Sequence, residues 1–206
     1  MTLPLVVYVD GFNLYNGIKS AYGRRFLWLD LVQLARRLRP RESMITVKYF
    51  TAAVLDEPGA ASRQSTYLKA LSAHCGEQIE IIMGRYQRKT MRCRNCGETW
   101  TSYEEKETDV NMAVHLAADV TAGHANSALI ISADSDMCPA VRTAQQTAPG
   151  VNIVAAFPPR RQSAELRKLL PRSFTIGRGR LAQSQLPPAV PDPATGRHLR
   201  RPKKWS

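Results

Sequence analysis

Short apolar runs alternate with stretches of helical period along most of this chain. Residues 5–9 read as a first strand and 14–22 as a short helix. From Leu29 to Leu38 the pattern is amphipathic. Leu31, Leu34, Ala35 and Leu38 share a face, Asp30 stands near the start and Pro40 ends it. Ile45 to Ala53 reads as a second strand. A helix near 61–75 follows, with Tyr67, Leu68 and Leu71 on one side, and Ile79 to Met83 is a third strand. Segment 84–106 breaks the rhythm and reads as irregular chain or a hairpin. The rhythm then resumes with a helix over 109–121, a strand over 128–132, a helix within 137–147, a strand over 151–157, a helix near 163–170 and an edge strand at 174–176. In the 109–121 helix, Val110, Ala113, Val114 and Ala117 form the expected buried stripe. Strands alternating with helices predict a three-layer α/β/α fold around a central, mostly parallel sheet. That domain spans residues 1–176, with 84–106 as an insert. Residues 177–206 hold five prolines and few apolar residues, which predicts a disordered tail.

Two of the apolar runs end in acid. Val6-Val7-Tyr8-Val9 is followed by Asp10, Gly11 and Asn13, and Leu129-Ile130-Ile131-Ser132 by Asp134 and Asp136. In a parallel sheet both junctions fall at the carboxyl rim, where ligands bind. Asp109 opens a helix that runs back against the strands, so its first turn reaches the same rim. Each aspartate alone is explained as a helix cap, a turn former or a first-turn charge facing the helix dipole. Together they predict a carboxylate cluster that repels itself unless it holds a cation such as Mg²⁺ or Mn²⁺.

Charge points the same way. The chain carries 29 Lys and Arg against 17 Asp and Glu, a net charge of +12. Residues 177–206 contribute seven of the basic side chains and one acid, Asp192. Such a balance favours a polyanionic partner. No apolar run approaches the length of a membrane span, and no secretory leader precedes Asp10, which predicts a cytoplasmic protein with reduced thiols.

The segments Tyr-Val-Asp-Gly-Phe-Asn-Leu (8–14), Lys-Glu-Thr-Asp-Val-Asn-Met-Ala-Val (106–114) and Ile-Ser-Ala-Asp-Ser-Asp-Met-Cys-Pro-Ala-Val (131–141) together resemble the NYN domain family. These are PIN-like proteins related to metal-dependent ribonucleases, and the resemblance covers roughly residues 4–176. It implies that Asp10, Asp109, Asp134 and Asp136 bind Mg²⁺ or Mn²⁺, with Asn13 assisting and Ser132 as a neighbour. The implied reaction is hydrolysis of RNA phosphodiesters. Departures are Ala133, where the family has Gly, Met137, where it has an aromatic, and His115, where many members have a further Asp. As an isolated imidazole on a helix, His115 reads as structural.

Inside the insert, Cys93 and Cys96 form a Cys-x₂-Cys-Gly turn, half of a zinc knuckle. His74 and Cys75, or a second chain, are candidates for the remaining ligands, and a reduced hairpin without metal is the alternative. Cys138 reads as packing. Around the turn, Arg85, Arg88, Lys89, Arg92 and Arg94 interleave with Trp100, a composition suited to single-stranded RNA; Arg160 and Arg161 add a second basic pair. The competing reading is an RNA-binding or scaffold module with the same fold and little turnover. A haloacid-dehalogenase-type phosphatase needs a second Asp at position 12, which is Phe, and no Gly-x-Gly-x-x-Gly follows the first strand to hold a dinucleotide. Oligomeric state is left open, a homo-oligomer included.

Overall fold

The computed structural model describes residues 5–42, 45–55 and 57–205, and of residues 102–105 the backbone alone. The first half runs β1 (Leu5–Asp10), α1 (Gly11–Tyr22), α2 (Leu31–Leu38), β2 (Ile45–Thr51), α3 (Pro58–Cys75) and β3 (Ile79–Met83). An antiparallel hairpin follows, β4 (Arg85–Arg92) and β5 (Thr99–Lys106). The second half runs α4 (Thr108–Thr121), β6 (Ser127–Ile131), α5 (Cys138–Thr147), β7 (Asn152–Phe157), α6 (Ala164–Leu169) and β8 (Phe174–Thr175). A C-terminal segment adds α7 (Arg178–Ala182) and a small hairpin, β9 (Ala189–Pro191) with β10 (His198–Arg200).

Six strands form one sheet in the order β3-β2-β1-β6-β7-β8, every neighbouring pair parallel. The chain winds outward from β1 to one edge, then returns to β6 and winds to the other. The switch point lies between β1 and β6, and crevices at the carboxyl ends of such strands are where α/β proteins take ligands.

The central strands β1, β6 and β7 are largely apolar on both faces because helices cover both. Side chains alternate with period two. Leu5, Val7, Val9, Leu129 and Ile131 face one layer, made by α1, α2 and α3. Val6, Tyr8, Ala128 and Ile130 face the other, made by α4, α5 and α6. Carried one step past the strand ends, the same alternation turns Asp10 and Ser132 toward the α4 side, where their side chains meet.

Two expectations need correction. First, α4 is rolled about its axis relative to the predicted stripe. Thr108, Met112, Leu116, Asp119 and Val120 are buried, whereas Val110 is 63% and Val114 59% exposed. The cause is a charged network. The Asp119 carboxylate accepts Tyr8 Oη–H at 2.8 Å and Lys48 Nζ at 2.7 and 3.0 Å, so the helix turns this acid inward. Lys48 Nζ also lies 3.2 Å from His115 Nδ1, which gives His115 a structural setting.

Second, the C-terminal segment is packed against the domain, not disordered. Backbone bonds tie it to the loop before α2: Asp30 N–H donates to Ser184 O at 2.8 Å, and Leu186 N–H to Trp28 O at 3.0 Å. The Trp28 indole N–H donates to Pro187 O at 2.8 Å. Leu181, Leu186, Val190 and Trp205 are buried in the core of the α1–α3 face, with the Trp205 ring against Trp28 and Tyr67. Few apolar residues suffice because the large ones, Leu181, Leu186, Val190 and Trp205, all dock, with Leu199 packed against them.

Candidate functional site

At the end of β1 the Asp10 carboxylate serves two masters. Its Oδ1 accepts the Asn13 N–H at 2.9 Å, capping α1, and its Oδ2 accepts the Ser132 hydroxyl at 2.8 Å. Ser132 Oγ in turn accepts the Asp134 N–H at 3.0 Å. The Ala133 N–H reaches Asn13 Oδ1 at 3.3 Å, which leaves the Asn13 amide hydrogens as donors. Asp134 caps a 3-10 turn (Ser135–Met137), its Oδ1 accepting the Asp136 N–H at 2.9 Å. Both strand-end loops are thus stitched into one unit across the switch point. Asp10 and Ser132 are almost wholly buried, Asn13 and Asp134 partly so, and Asp136 stands at the exposed rim.

The cap reading and the site reading of Asp10 coexist. Each carboxylate oxygen accepts a hydrogen bond, and a carboxylate oxygen has two lone-pair directions. Two fixed donors orient the group, as outer-shell partners orient metal ligands. Ser132, expected only as a neighbour, is the residue that joins the two strands.

Asp109 sits in the first turn of α4, a helix that lies against β1, β2, β3 and the 135–137 turn. With α4 rolled as described, Asp109 is exposed. Just before it, Glu107 adopts a left-handed backbone (φ 77°), uncommon for a residue with a Cβ, and its side chain pairs with Arg85. The hairpin and the start of α4 are therefore joined at a tight reversal.

Carboxylate oxygens on Asp10, Asp109, Asp134 and Asp136, with the neutral Asn13 nearby, suit a hard divalent cation in kind. They do not close round one point: among the described residues, no three His, Cys, Asp or Glu side chains are grouped to hold an ion. The fixed part of the expected cluster is Asp10 with the Asp134 loop.

The same finding applies to the insert. At the tip of the β4–β5 hairpin, the Cys93 sulfur accepts backbone N–H groups of Cys96 and Asn95, which hold its thiol below the ordinary value. Gly97 has φ 75° and closes the turn, with its N–H on Cys93 O at 3.0 Å. This is the local geometry of a knuckle, but it offers two ligands where a closed zinc site takes four. His74 and Cys75 do not complete it. His74 pairs with Asp30 at 3.3 Å, and the Cys75 thiol, pushed up to about 12 by burial and by Asp30, is held at the end of α3. Cys138 is buried, as expected of a packing residue.

Arg85, Arg88, Lys89, Arg92, Arg94 and Trp100 are all exposed, Trp100 by half. The hairpin register, Lys89 opposite Ser102 and Met91 opposite Trp100, puts Arg85, Lys89 and Trp100 on one face and Arg88 and Arg92 on the other. Arg160 and Arg161 are exposed in the turn after β7. Sequence reading missed a cavity of about 330 Å³ on the α1–α3 face, behind Gly11 and walled in part by Trp205. It could not be read from spacing, because its wall comes from residues about 190 positions apart. Among the described residues, no helix is long and apolar enough to cross a membrane.

The chain is 28% identical to the protein of Pseudomonas putida named 6-hydroxy-3-succinoylpyridine 3-monooxygenase HspA, over 90% of this chain and 70% of that one. The family model described as NYN domain matches residues 4–176, a span that contains both strand-end junctions and the hairpin between them. This chain belongs to the NYN domain family of PIN-like, nuclease-related proteins.

Proposed function

We propose that this protein is a divalent-metal-dependent endoribonuclease acting on single-stranded RNA. The observation that carries the reading is the Asp10–Ser132–Asp134 junction at the switch point of a NYN-family sheet. A Mg²⁺ or Mn²⁺ ion held by Asp10, Asp109, Asp134 and Asp136 would supply Lewis acidity at the phosphate and a more acidic bound water. The protein's own groups do the rest. Ser132 and the Asn13 N–H keep Asp10 in one orientation. The Asn13 amide hydrogens are placed to donate to a non-bridging phosphate oxygen. Asp136 or Asp109, both exposed at the rim, accepts a proton from the attacking water. Arg85 and Lys89 hold the backbone of a strand whose bases stack on Trp100, with Arg160 and Arg161 as a second contact.

The test is a time course on a labelled single-stranded RNA and the matching DNA, with Mn²⁺ and with chelator. Cleavage of RNA that requires the metal supports the proposal. Tight, salt-sensitive RNA binding with no turnover would favour the binding-module reading, which draws support from carboxylates that do not converge. A third reading comes from the name of the Pseudomonas relative, the oxidation of a small substituted pyridine. The cavity behind Gly11 is its specific support, and oxygen uptake with that pyridine and a reductant would decide it.

A further inference from the structure

The 330 Å³ cavity is not used by the chemistry above. It is large enough to rank with ligand pockets, near the lower end of their range of roughly 300–1,000 Å³. Its walls are aromatic: Phe12, Tyr15, Tyr49, Tyr67 and Trp205 line it. Tyr67 and Trp205 are held in place. Tyr67 Oη–H donates to Leu29 O at 2.7 Å, and Tyr67 stands edge-on to Trp205, centroids 5.8 Å apart. Polar groups sit among them: Asn16, whose amide bonds to no described residue, and Arg63, which pairs with the exposed Glu57 at 3.0 Å. The C-terminal segment brings its last described residue, Trp205, across the domain to close the wall.

Position matters as much as lining. The cavity reaches the carboxyl ends of β1 and β2 at Gly11 and Thr51. Gly11 follows Asp10 directly and is pressed on Tyr49 and Phe50; a Cβ there would meet Phe50 O at 2.7 Å and the Tyr49 ring at 2.9 Å. One backbone thickness therefore separates the cavity wall from the Asp10 junction.

We propose that this cavity binds one planar heteroaromatic ring, stacked among Tyr15, Tyr67 and Trp205 with its polar edge toward Asn16 and Arg63. The chemistry is shared by two sources: a base turned out of an RNA strand held at Asp10, or a free heteroaromatic compound. Only the first source rests on the ribonuclease reading. Aromatic walls suit either, because stacking is indifferent to base identity.

The experiment titrates the full chain with adenosine, uridine and nicotinate, and with cyclohexanecarboxylate as the non-planar control, by calorimetry and tryptophan fluorescence. At least one planar probe is expected to saturate while the control does not. Ala60→Phe, which fills the cavity from α3, should weaken that probe about 10- to 100-fold. Trp205→Leu, which keeps an apolar wall without the ring, should weaken it too, and serves if Ala60→Phe melts early. A second arm scans a single abasic position through a 12-nucleotide RNA substrate. A KM raised about 10-fold at one position, with kcat largely kept, assigns the ring to the RNA; a flat scan with probe binding intact assigns it to a free compound. No saturation by any planar probe, or equal affinity in both variants, overturns the proposal. If the protein cuts no RNA, the ribonuclease reading fails and the titrations still decide the cavity.

Discussion

Removing the Asp119 carboxylate should cost this fold more than removing any exposed acid. Asp119 accepts two bonds from Lys48 Nζ and one from Tyr8 Oη–H, with the Lys48 and Asp119 side chains 14% and 12% exposed. In Asp119→Ala, Lys48 is left with Glu80 at 3.9 Å, which is half exposed, and His115 at 3.2 Å; Tyr8 loses its acceptor. Breaking a buried pair by deleting one partner costs about 3–5 kcal/mol, mostly the penalty of the charge left behind. For a chain of this size that is a drop in Tm of roughly 6–20 °C. Asp119→Asn keeps an acceptor for Tyr8 and should lose about 1.5–3 kcal/mol, the worth of a hydrogen bond to a charged group. Tyr8→Phe/Lys48→Met/Asp119→Leu removes all partners together and should recover most of the loss, since apolar replacements of buried pairs are often neutral. Equilibrium urea unfolding followed by far-ultraviolet circular dichroism measures all three. A cost under about 1 kcal/mol for Asp119→Ala would refute the argument that this network, rather than the Val110 stripe, fixes the roll of α4.

Other outcomes follow from the same structure. Burial first, then Asp119, raises the Tyr8 phenol, and burial raises Tyr67 and pushes Tyr49 up to about 12. The unfolded chain loses these protons near pH 10 while the folded chain keeps them, so stability present below about pH 10 should fall as pH rises through the folded-state values; phenolate absorbance and circular dichroism should change together. Trp205→Ala should cost about 3 kcal/mol, the low end for a buried aromatic because a cavity already adjoins it, and should open residues 177–206 to limited proteolysis. If Cys93 and Cys96 bind zinc, the other ligands come from a second chain: metal analysis should give one zinc per two chains, with loss of both zinc and dimer in Cys93→Ser. Zinc-loaded monomer would contradict that.

The central strands were legible because buried parallel strands are written as unbroken apolar runs, and Leu5–Val9 and Ala128–Ile131 are each followed by polar residues. Asp10 and Asp134 were legible for the same reason, as the first acids past those runs. The roll of α4 was not. Val110, Ala113, Val114 and Ala117 make a plausible stripe by hydropathy, and the true one includes an aspartate whose burial depends on Lys48 and Tyr8, far away in sequence. The C-terminal segment misled in the opposite sense. Its prolines and charges argue for disorder, yet Leu181, Leu186, Val190 and Trp205 are spaced to meet a groove beside Trp28 that no local pattern announces. Ser132 shows the limit at the site itself: the hydroxyl is visible in sequence, but its bond to Asp10, 122 residues away, belongs to the fold.

The account stands on Asp10. Asp10→Asn keeps an oxygen for the Asn13 cap, so the variant should fold, while losing the charge that a cation requires. The decisive measurement is the single-turnover rate of RNA cleavage with Mn²⁺ by the wild-type chain and by Asp10→Asn, each with its thermal melt. A fall of at least about 100-fold in a variant that melts near the wild type is the predicted result. Equal rates in two equally folded proteins would contradict the claim that this carboxylate organises the site.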